Sequence, residues 1–418
     1  MAQNKNHNKR TLWLCGALHA FTHIYHVALI PLYLLIQKDL KLNSVEASTL
    51  LVTVMGIAYF LPSYLMGILA DRVSRKKLLT AGLMVNGLGF VGLSFAPNYS
   101  VALVCVVIAG LGGSFYHPSA TALVARLYPI GTGKALGMVG IGASAGFFIG
   151  PLYAGWRAMM AGSWRAPILE LGLFGMVAAG IFYWLSEEDQ LPGSDTKPAT
   201  SSEKLFPRNA LMFFFVAAAV SFSLRDFAGS GMGSLASLFL QQAHGFTPKM
   251  TGLALGGMFL ASAISNPIFG GLSDRGRMRW TSITLLAAAA MIVIFPHVPP
   301  RWIFPVLAIY GFFFMASYPM VEAAVMESVH DSVRGRVFGL FITFGGLIGN
   351  LSHWAVGSWV KNMGANANSS REYFWIFGLL AGFIVLSLVG LPCLQRIRQK
   401  EILENISASK PVLTEPTL

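Results

Sequence analysis

The stretch GILADRVSRKK, residues 67–77, decides the fold, because it recurs in the second half of the chain. The later copy, GGLSDRGRMR at residues 270–279, keeps the glycine, leucine, aspartate, arginine and basic cluster in the same order and begins 203 residues later. GKALG at residues 133–137 is echoed by GRVFG at residues 335–339, at an offset of 202 residues. Two nearly equal offsets indicate that the chain contains two copies of one structural unit.

The composition places both copies in a membrane. Of the 418 residues, 55% are hydrophobic and 11% are charged, which is unlike an ordinary soluble domain. A helix of about 20 apolar residues crosses the hydrocarbon core of a bilayer. The sequence predicts twelve such spans, at residues 11–36, 48–70, 78–96, 101–125, 135–156, 166–186, 209–241, 249–272, 280–296, 302–326, 336–360 and 373–394.

A polar stretch separates the sixth and seventh predicted spans. SEEDQLPGSDTKPATSSEK, residues 186–204, is rich in Ser, Pro and Thr and is typical of a flexible linker. We therefore expect an all-α membrane protein of two pseudo-symmetric six-helix bundles. The expected units are the N-terminal bundle (1–186), a cytoplasmic linker (187–208), the C-terminal bundle (209–396) and a cytoplasmic tail (397–418).

The basic residues predict the orientation of the chain. Most of the 30 Lys and Arg residues fall on the side of the predicted spans that carries both chain ends. By the positive-inside rule, both termini are then cytoplasmic in a multi-pass protein of the cell inner membrane. Basic loops beside anionic lipid headgroups also explain the net charge of +12, so no nucleic acid is needed as a partner.

The repeated stretch resembles a signature of the major facilitator superfamily of secondary transporters, Gly-x-Leu-Ala-Asp-Arg-x-Gly-Arg-Lys, which lies between the second and third helices. Ser74 stands where the family usually has Gly. In the family this loop acts as a cytoplasmic gate, which the resemblance assigns here to Gly67, Asp71, Arg72, Arg75, Lys76, Asp274 and Arg275. The alternative is a basic loop that serves only to set the topology.

The fifth predicted span carries small residues at a regular spacing. Glycines at every fourth position lie on one helix face and allow another backbone to pack closely. GFFIGPLYAG, residues 146–155, also resembles the Gly-x-x-x-Gly-Pro-x-x-Gly-Gly signature of the family's exporters, with Ala154 in place of one Gly. This resemblance favours export over uptake. The packing motif consists of Gly142, Gly146, Gly150, Pro151 and Gly155.

A narrower resemblance is to the fosmidomycin-resistance branch of drug exporters. It rests on GGSFYHPSATALVARLYP, residues 112–129, and on GKALGMVGIGASAGFFIGPL, residues 133–152. The branch commonly has an acidic residue just after the His-Pro pair, where this chain has Ser119. The resemblance therefore implies a drug-like cargo but transfers no coupling residue.

Enzyme and cofactor motifs have little support. GASAG at residues 142–146 formally matches a hydrolase nucleophile elbow, but that motif needs a strand-to-helix turn and Ser144 lies in a long apolar run. The chain has no GxxxxGK[ST] phosphate loop, so ATP-driven transport is not indicated. Its three cysteines are scattered singly. We expect neither an enzyme nor a cofactor.

Ionisable residues inside predicted spans are unfavourable in a bilayer, and each is a candidate for function. Arg225 and Asp226 lie in the seventh span. Because adjacent residues on a helix diverge by about 100°, we expect each to need a partner elsewhere. The glycines at 229, 231 and 233 and the length of the span predict a broken helix. Glu322, in the tenth span, is either a coupling or substrate residue or part of a gate ion pair.

Histidines form a second polar set. His19, His23 and His26 recur at i, i+4 and i+7 on one face of the first span. Three imidazoles could hold a metal, but no carboxylate or cysteine accompanies them, so we predict a polar cavity wall and no metal site. Packing histidines with local hydrogen bonds are the alternative. His117 precedes Pro118 in the fourth span, where function and a simple kink are equally compatible.

Together these features predict a proton-coupled transporter that exports a small organic or drug-like molecule by alternating access. Protonation of a buried carboxylate, Asp226 first and Glu322 second, would change which conformation is favoured. The residues assigned to proton coupling or substrate are Asp226, Arg225, Glu322, His117 and His23. The further cavity candidates are His19, His26, Asn350 and His353.

Two alternatives remain open at this point. The same residues would allow proton-coupled uptake of an organic anion attracted by Arg225. A membrane sensor or scaffold that has lost transport is a more distant possibility. The expected partners are a small-molecule substrate, protons and the lipid bilayer, and one chain of twelve helices is expected to work as a monomer.

Overall fold

The computed structural model describes residues 2–70, 72–128, 132–187, 206, 209–329 and 334–408. Throughout these residues the chain forms helices joined by short turns. Twelve helical segments are long and apolar enough to cross a membrane. The twelve predicted spans and the two-bundle architecture are confirmed.

Spans 1 to 6 build the N-terminal bundle. Its helices are Ala2–Val27 and Tyr33–Asp39 in span 1, Val45–Phe60 and Ser63–Ala70 in span 2, Arg75–Ser94 in span 3, Tyr99–Ser114 and Tyr116–Leu127 in span 4, Thr132–Ala161 in span 5, and Arg165–Leu185 in span 6.

Spans 7 to 12 build the C-terminal bundle. Its helices are Asn209–Leu238 in span 7, Pro248–Leu260 and Ser262–Ser273 in span 8, Arg277–Ile294 in span 9, Ile303–Glu327 in span 10, Arg334–Met363 in span 11, and Phe374–Ser387 and Gly390–Ala408 in span 12. A π-helical turn, Phe239–Ala243, ends span 7.

Polar residues cap the starts of several spans. The Asn98 side chain accepts a hydrogen bond from the Val101 amide at 3.0 Å, and Thr247 accepts one from the Met250 amide at 3.3 Å. Pro248 occupies the first helical position after Thr247. Such caps satisfy amides that have no partner inside the helix, so they define where spans 4 and 8 begin.

Consecutive spans run in opposite directions, which gives the molecule two ends. We call the end with the chain termini the near end, and the end with the turns at residues 40–44, 162–164 and 245–247 the far end. Among the described residues, the hydrogen bonds that join the two bundles lie between the far end and the middle of the spans. The protein is therefore closed at its far end.

Span 2 packs on span 11 and span 5 packs on span 8 to form most of this closure, and hydrogen bonds between spans 1 and 7 add to it. Between spans 5 and 8, the rings of Phe147 and Phe259 stack with centroids 4.8 Å apart. Ser262 Oγ donates to Ser144 Oγ at 3.3 Å, about halfway along span 8. The contact between the two bundles therefore extends along the helices, and we call this contact surface the seam.

The prediction of a broken helix in span 7 is wrong. The helix Asn209–Leu238 continues without interruption through Gly229, Gly231 and Gly233. A Cβ at Gly229 would overlap the Phe314 ring, and one at Gly231 would press on Ser352. The helix continues directly into the π-helical turn Phe239–Ala243.

The predicted linker, 187–208, lies outside the described residues apart from Glu187 and Phe206. Its boundaries stay a prediction. The predicted tail, 397–418, begins inside the helix Gly390–Ala408, and its boundary also stays a prediction.

Candidate functional site

Arg225 and Asp226 form a buried ion pair in the middle of span 7. The Arg225 Nε and Nη2 atoms donate to Asp226 Oδ1 at 3.0 and 2.8 Å, and only 1% of Arg225 is exposed. The expectation that neighbours on a helix cannot pair is wrong here, because the long arginine side chain folds back along its own helix. The ring of Tyr318 covers the guanidinium at 4.2 Å, which adds a cation–π contact.

The Asp226 carboxylate is the accessible member of this pair. Its side chain is 15% exposed, against 2% for that of Arg225. The second oxygen, Oδ2, lies against span 11, where a Cβ on Gly345 would overlap it. A Cβ on Gly349 would also lie close to Asp226, at 3.3 Å from the Asp226 Cβ atom. The carboxylate therefore lies directly on the glycine face of span 11.

Glu322 extends the charged site towards the near end. It is half-buried and, among the described residues, forms no ion pair. Glu327, one turn further along span 10, pairs instead with Arg277 at 2.5 Å. Glu322 remains within electrostatic reach of Arg225 and Asp226. We call Arg225, Asp226, Tyr318 and Glu322 the charge cluster.

Three histidines form a second site within the N-terminal bundle. The His23 and His19 Nε2 atoms lie 3.1 Å apart, and the ring of His117 lies 5.2 Å from that of His19. The sequence predicted His26 as the third member, whereas the structure brings in His117 from span 4. We call His19, His23 and His117 the histidine cluster.

His26 points towards the C-terminal bundle. Its Nε2 atom is 3.2 Å from Asn350 Oδ1, and Thr53 donates to the Asn350 carbonyl at 2.9 Å. His353, one turn along span 11, lies 2.7 Å from Ser234 Oγ. Asn350 and His353 are thus buried at the seam between the bundles, where they link helices and do not line open space.

Contacts that the sequence did not predict complete the far-end closure. Lys361 Nζ lies 2.7 Å from Glu46 Oε2, and Trp354 Nε1 donates to Glu46 Oε1 at 3.0 Å. Tyr33 and Ser234 share a hydrogen bond of 2.8 Å. These residues lie in different bundles, so their pairing could not be predicted from the sequence.

The glycine motif of span 5 packs on span 1. Cβ atoms at Gly142, Gly146 and Gly150 would overlap or crowd the backbone of Gly16, Ala20 and Ile24, at equal spacing on span 1. Pro151 lies inside the continuous helix Thr132–Ala161. A Cβ at Gly155 would overlap the carbonyl of Pro248 in the other bundle. The motif therefore joins helices within a bundle and across the seam.

The first copy of the predicted gate is only partly described by the structure. Asp71 lies outside the described residues, Arg72 is exposed and Arg75 is buried. Lys76 Nζ donates to the Ser186 carbonyl at 2.9 Å, within its own bundle. Gly67 packs near Pro118, also in its own bundle.

The second copy of the gate behaves similarly. Asp274, in the turn between spans 8 and 9, lies 3.3 Å from Arg277 at the start of span 9, while Arg275 is exposed. The described contacts of Asp274 and Lys76 thus do not cross between bundles, as expected at the end opposite the closure.

Two six-helix bundles that enclose buried charge and close at one end define a membrane transporter of the alternating-access class. The chain belongs to the Major Facilitator Superfamily, whose family model matches residues 12–353. It is accordingly a multi-pass inner-membrane protein of a family that moves small molecules.

Several relatives cover most of the chain. The multi-drug resistance efflux pump PmrA of Streptococcus pneumoniae is 26% identical, over 84% of this chain and 90% of its own length. The fosmidomycin resistance protein of Escherichia coli is 24% identical, over 81% of this chain and 83% of its own. Among solved structures, a bacterial homologue of the human lysosomal transporter Spinster, inward-facing and unoccupied, superposes with a TM-score of 0.72 at 16% identity, covering 95% of this chain and 98% of the other.

Proposed function

We propose that this protein is a proton-coupled antiporter that exports small, drug-like organic molecules. Both termini are taken as cytoplasmic, so the closed far end faces outward and the protein is inward-facing. Two relatives that cover over 80% of this chain are named for multidrug efflux and fosmidomycin resistance, which supports a drug-like cargo. The exporter-type motif of span 5 supports the direction.

The observation that carries the proposal is the position of Asp226. Its carboxylate touches a buried arginine on one side and the glycine face of span 11 on the other. Protonating it would leave the charge of Arg225 without its bonded partner in a poorly solvated site, which is strongly unfavourable unless the surroundings rearrange. Glu322, which also interacts electrostatically with Arg225, is a further carboxylate that could take over the pairing.

Span 11 offers a physical route from this charge to the seam. Gly345 and Gly349 face Asp226, while the adjacent Gly346 and Asn350 face span 2. A Cβ at Gly346 would overlap the Phe60 ring, so the two helices are in tight contact. A shift of span 11 that follows a change at Asp226 would therefore loosen the far-end closure, which is the two-state element that coupling requires.

In the opposite state, the near end would close through the predicted gate residues of the two copies. The histidine cluster and the charge cluster, one in each bundle, would face the cargo from opposite sides. Uptake of an organic anion is less well supported, since Arg225 is buried and already holds a carboxylate.

The test uses inside-out membrane vesicles with an acidic lumen and a pH-sensitive dye. A phosphonate, a lipophilic cation and an aromatic organic acid are added in turn to vesicles that contain wild-type protein, Asp226→Asn or Glu372→Gln. Glu372 is an exposed acid at the far end and serves as the matched control.

We expect at least one compound to release protons from the lumen with the wild type and the control, but not with Asp226→Asn. Proton release that persists in Asp226→Asn would remove Asp226 from coupling. If no compound moves protons in the wild type, export of these classes by proton exchange is contradicted.

A further inference from the structure

We propose that the histidine cluster binds a divalent transition-metal ion of the Zn²⁺ class. Each of His19, His23 and His117 offers one ring nitrogen, and these three atoms lie within 4.8 Å of one another. Imidazole nitrogens suit Zn²⁺, Ni²⁺ and Cu²⁺, whereas Mg²⁺ and Ca²⁺ prefer oxygen. The inference does not depend on the proposed antiport.

The spacing of the nitrogens is close to that of a tetrahedral site. With Zn–N bonds of about 2.0–2.1 Å, tetrahedral ligand atoms lie about 3.4 Å apart. The His19 and His23 Nε2 atoms are 3.1 Å apart, so this edge is already formed. The widest edge has to shorten by about 1.4 Å, which rotation of the His117 ring on its side-chain torsions can supply.

The hydrogen bonds of His19 prepare it as a ligand. Its Nδ1 atom lies 3.1 Å from the Val139 carbonyl, which can only accept, so Nδ1 carries the proton and Nε2 holds a lone pair. A backbone carbonyl on the distal nitrogen is the usual arrangement for a metal-ligating histidine. His23 Nε2 donates to that lone pair in the metal-free protein. To bind an ion through Nε2, His23 would take the other neutral tautomer, with its proton on Nδ1.

Aromatic packing holds the rings of His19 and His23 in place. Tyr116 stacks on His19 with centroids 4.8 Å apart and anchors itself by donating to the Cys15 carbonyl at 2.8 Å. Phe147 covers His23 at 4.2 Å. All three histidines keep partial exposure, so an ion can reach them. Three neutral ligands leave the fourth position to water or to an anionic group of a cargo.

The experiment titrates Zn²⁺ into purified full-length protein without a histidine tag, followed by competition with a chromophoric zinc chelator. His23→Gln and His117→Gln remove one ligand each, while His297→Gln removes a histidine at the far end that packs on Phe374. We expect one ion per wild-type chain, affinity at least about tenfold weaker in the first two variants, and unchanged binding in the control.

Cobalt distinguishes loss of a ligand from loss of the fold. His117→Cys keeps a ligand at the third position, and its Co²⁺ complex is expected to show a thiolate charge-transfer band that the wild type lacks. Equal Zn²⁺ affinity in the wild type and both glutamine variants would overturn the proposal. So would a Co²⁺ spectrum without that band in a His117→Cys protein whose thermal unfolding matches the wild type.

Discussion

Neutralising Glu46 is expected to open the far end of the protein. Across the seam, Glu46 Oε2 pairs with Lys361 Nζ at 2.7 Å, and Glu46 Oε1 accepts a hydrogen bond from Trp354 Nε1 at 3.0 Å. The Glu46 side chain is only 19% exposed. Lys361 is half exposed, so solvent screening limits the ion pair to about 0.5 kcal/mol. In Glu46→Gln, the glutamine can still accept from Trp354 Nε1, but as a neutral acceptor, which weakens this hydrogen bond by about 1 kcal/mol. Glu46→Gln should therefore shift the balance between far-closed and far-open states about tenfold.

Distances between spin labels measure this shift. Labels at the exposed residues Asn43 and Asn366 report on the far end, and labels at Lys77 and Met278 report on the near end. In Glu46→Gln we expect a longer far-end distance to gain population and a shorter near-end distance to appear with it. The control is Glu372→Gln. Unchanged distributions at both ends in Glu46→Gln would refute the view that these contacts hold the closure.

Three further substitutions test the site and the packing. Gly345→Ala should push the Asp226 carboxylate aside and reduce coupled transport severalfold, whereas Gly339→Ala, with open space around it, should not. In Gly146→Ala, the new Cβ would overlap the Ala20 backbone, which cannot move aside. We expect this to lower the free energy of unfolding by about 1–3 kcal/mol, measured by thermal unfolding. Gly140→Ala, with open space around it, should be neutral or slightly stabilising. Glu322→Gln should weaken proton release in the vesicle assay without lowering thermal stability; full release would exclude it from coupling.

The sequence predicted the fold because the signal is physical and repeated. Twelve apolar runs of membrane-crossing length and a near-constant offset of about 200 residues between motifs leave few other architectures. The glycines of span 5 could also be predicted as a packing face, since a spacing of four residues marks one side of a helix. These inferences depend only on helix geometry and hydrophobicity.

The site was predictable in its residues but not in its partners. Arg225 and Asp226 stand out as charges in an apolar span, yet their mutual bond depends on how a flexible arginine folds, which helical phase does not determine. His117 joins His19 and His23 only because span 4 packs beside span 1. Contacts between distant segments of this kind need the tertiary structure.

Antiport itself is tested most directly by following both fluxes in one preparation. Purified protein is reconstituted into liposomes that carry an internal pH dye, and the compound that releases protons from vesicles is supplied as a labelled substrate. We expect substrate and protons to move in opposite directions, and reversal of the pH gradient to reverse the substrate flux. Movement of both in the same direction, or substrate flux that is indifferent to the gradient, would contradict proton-coupled export.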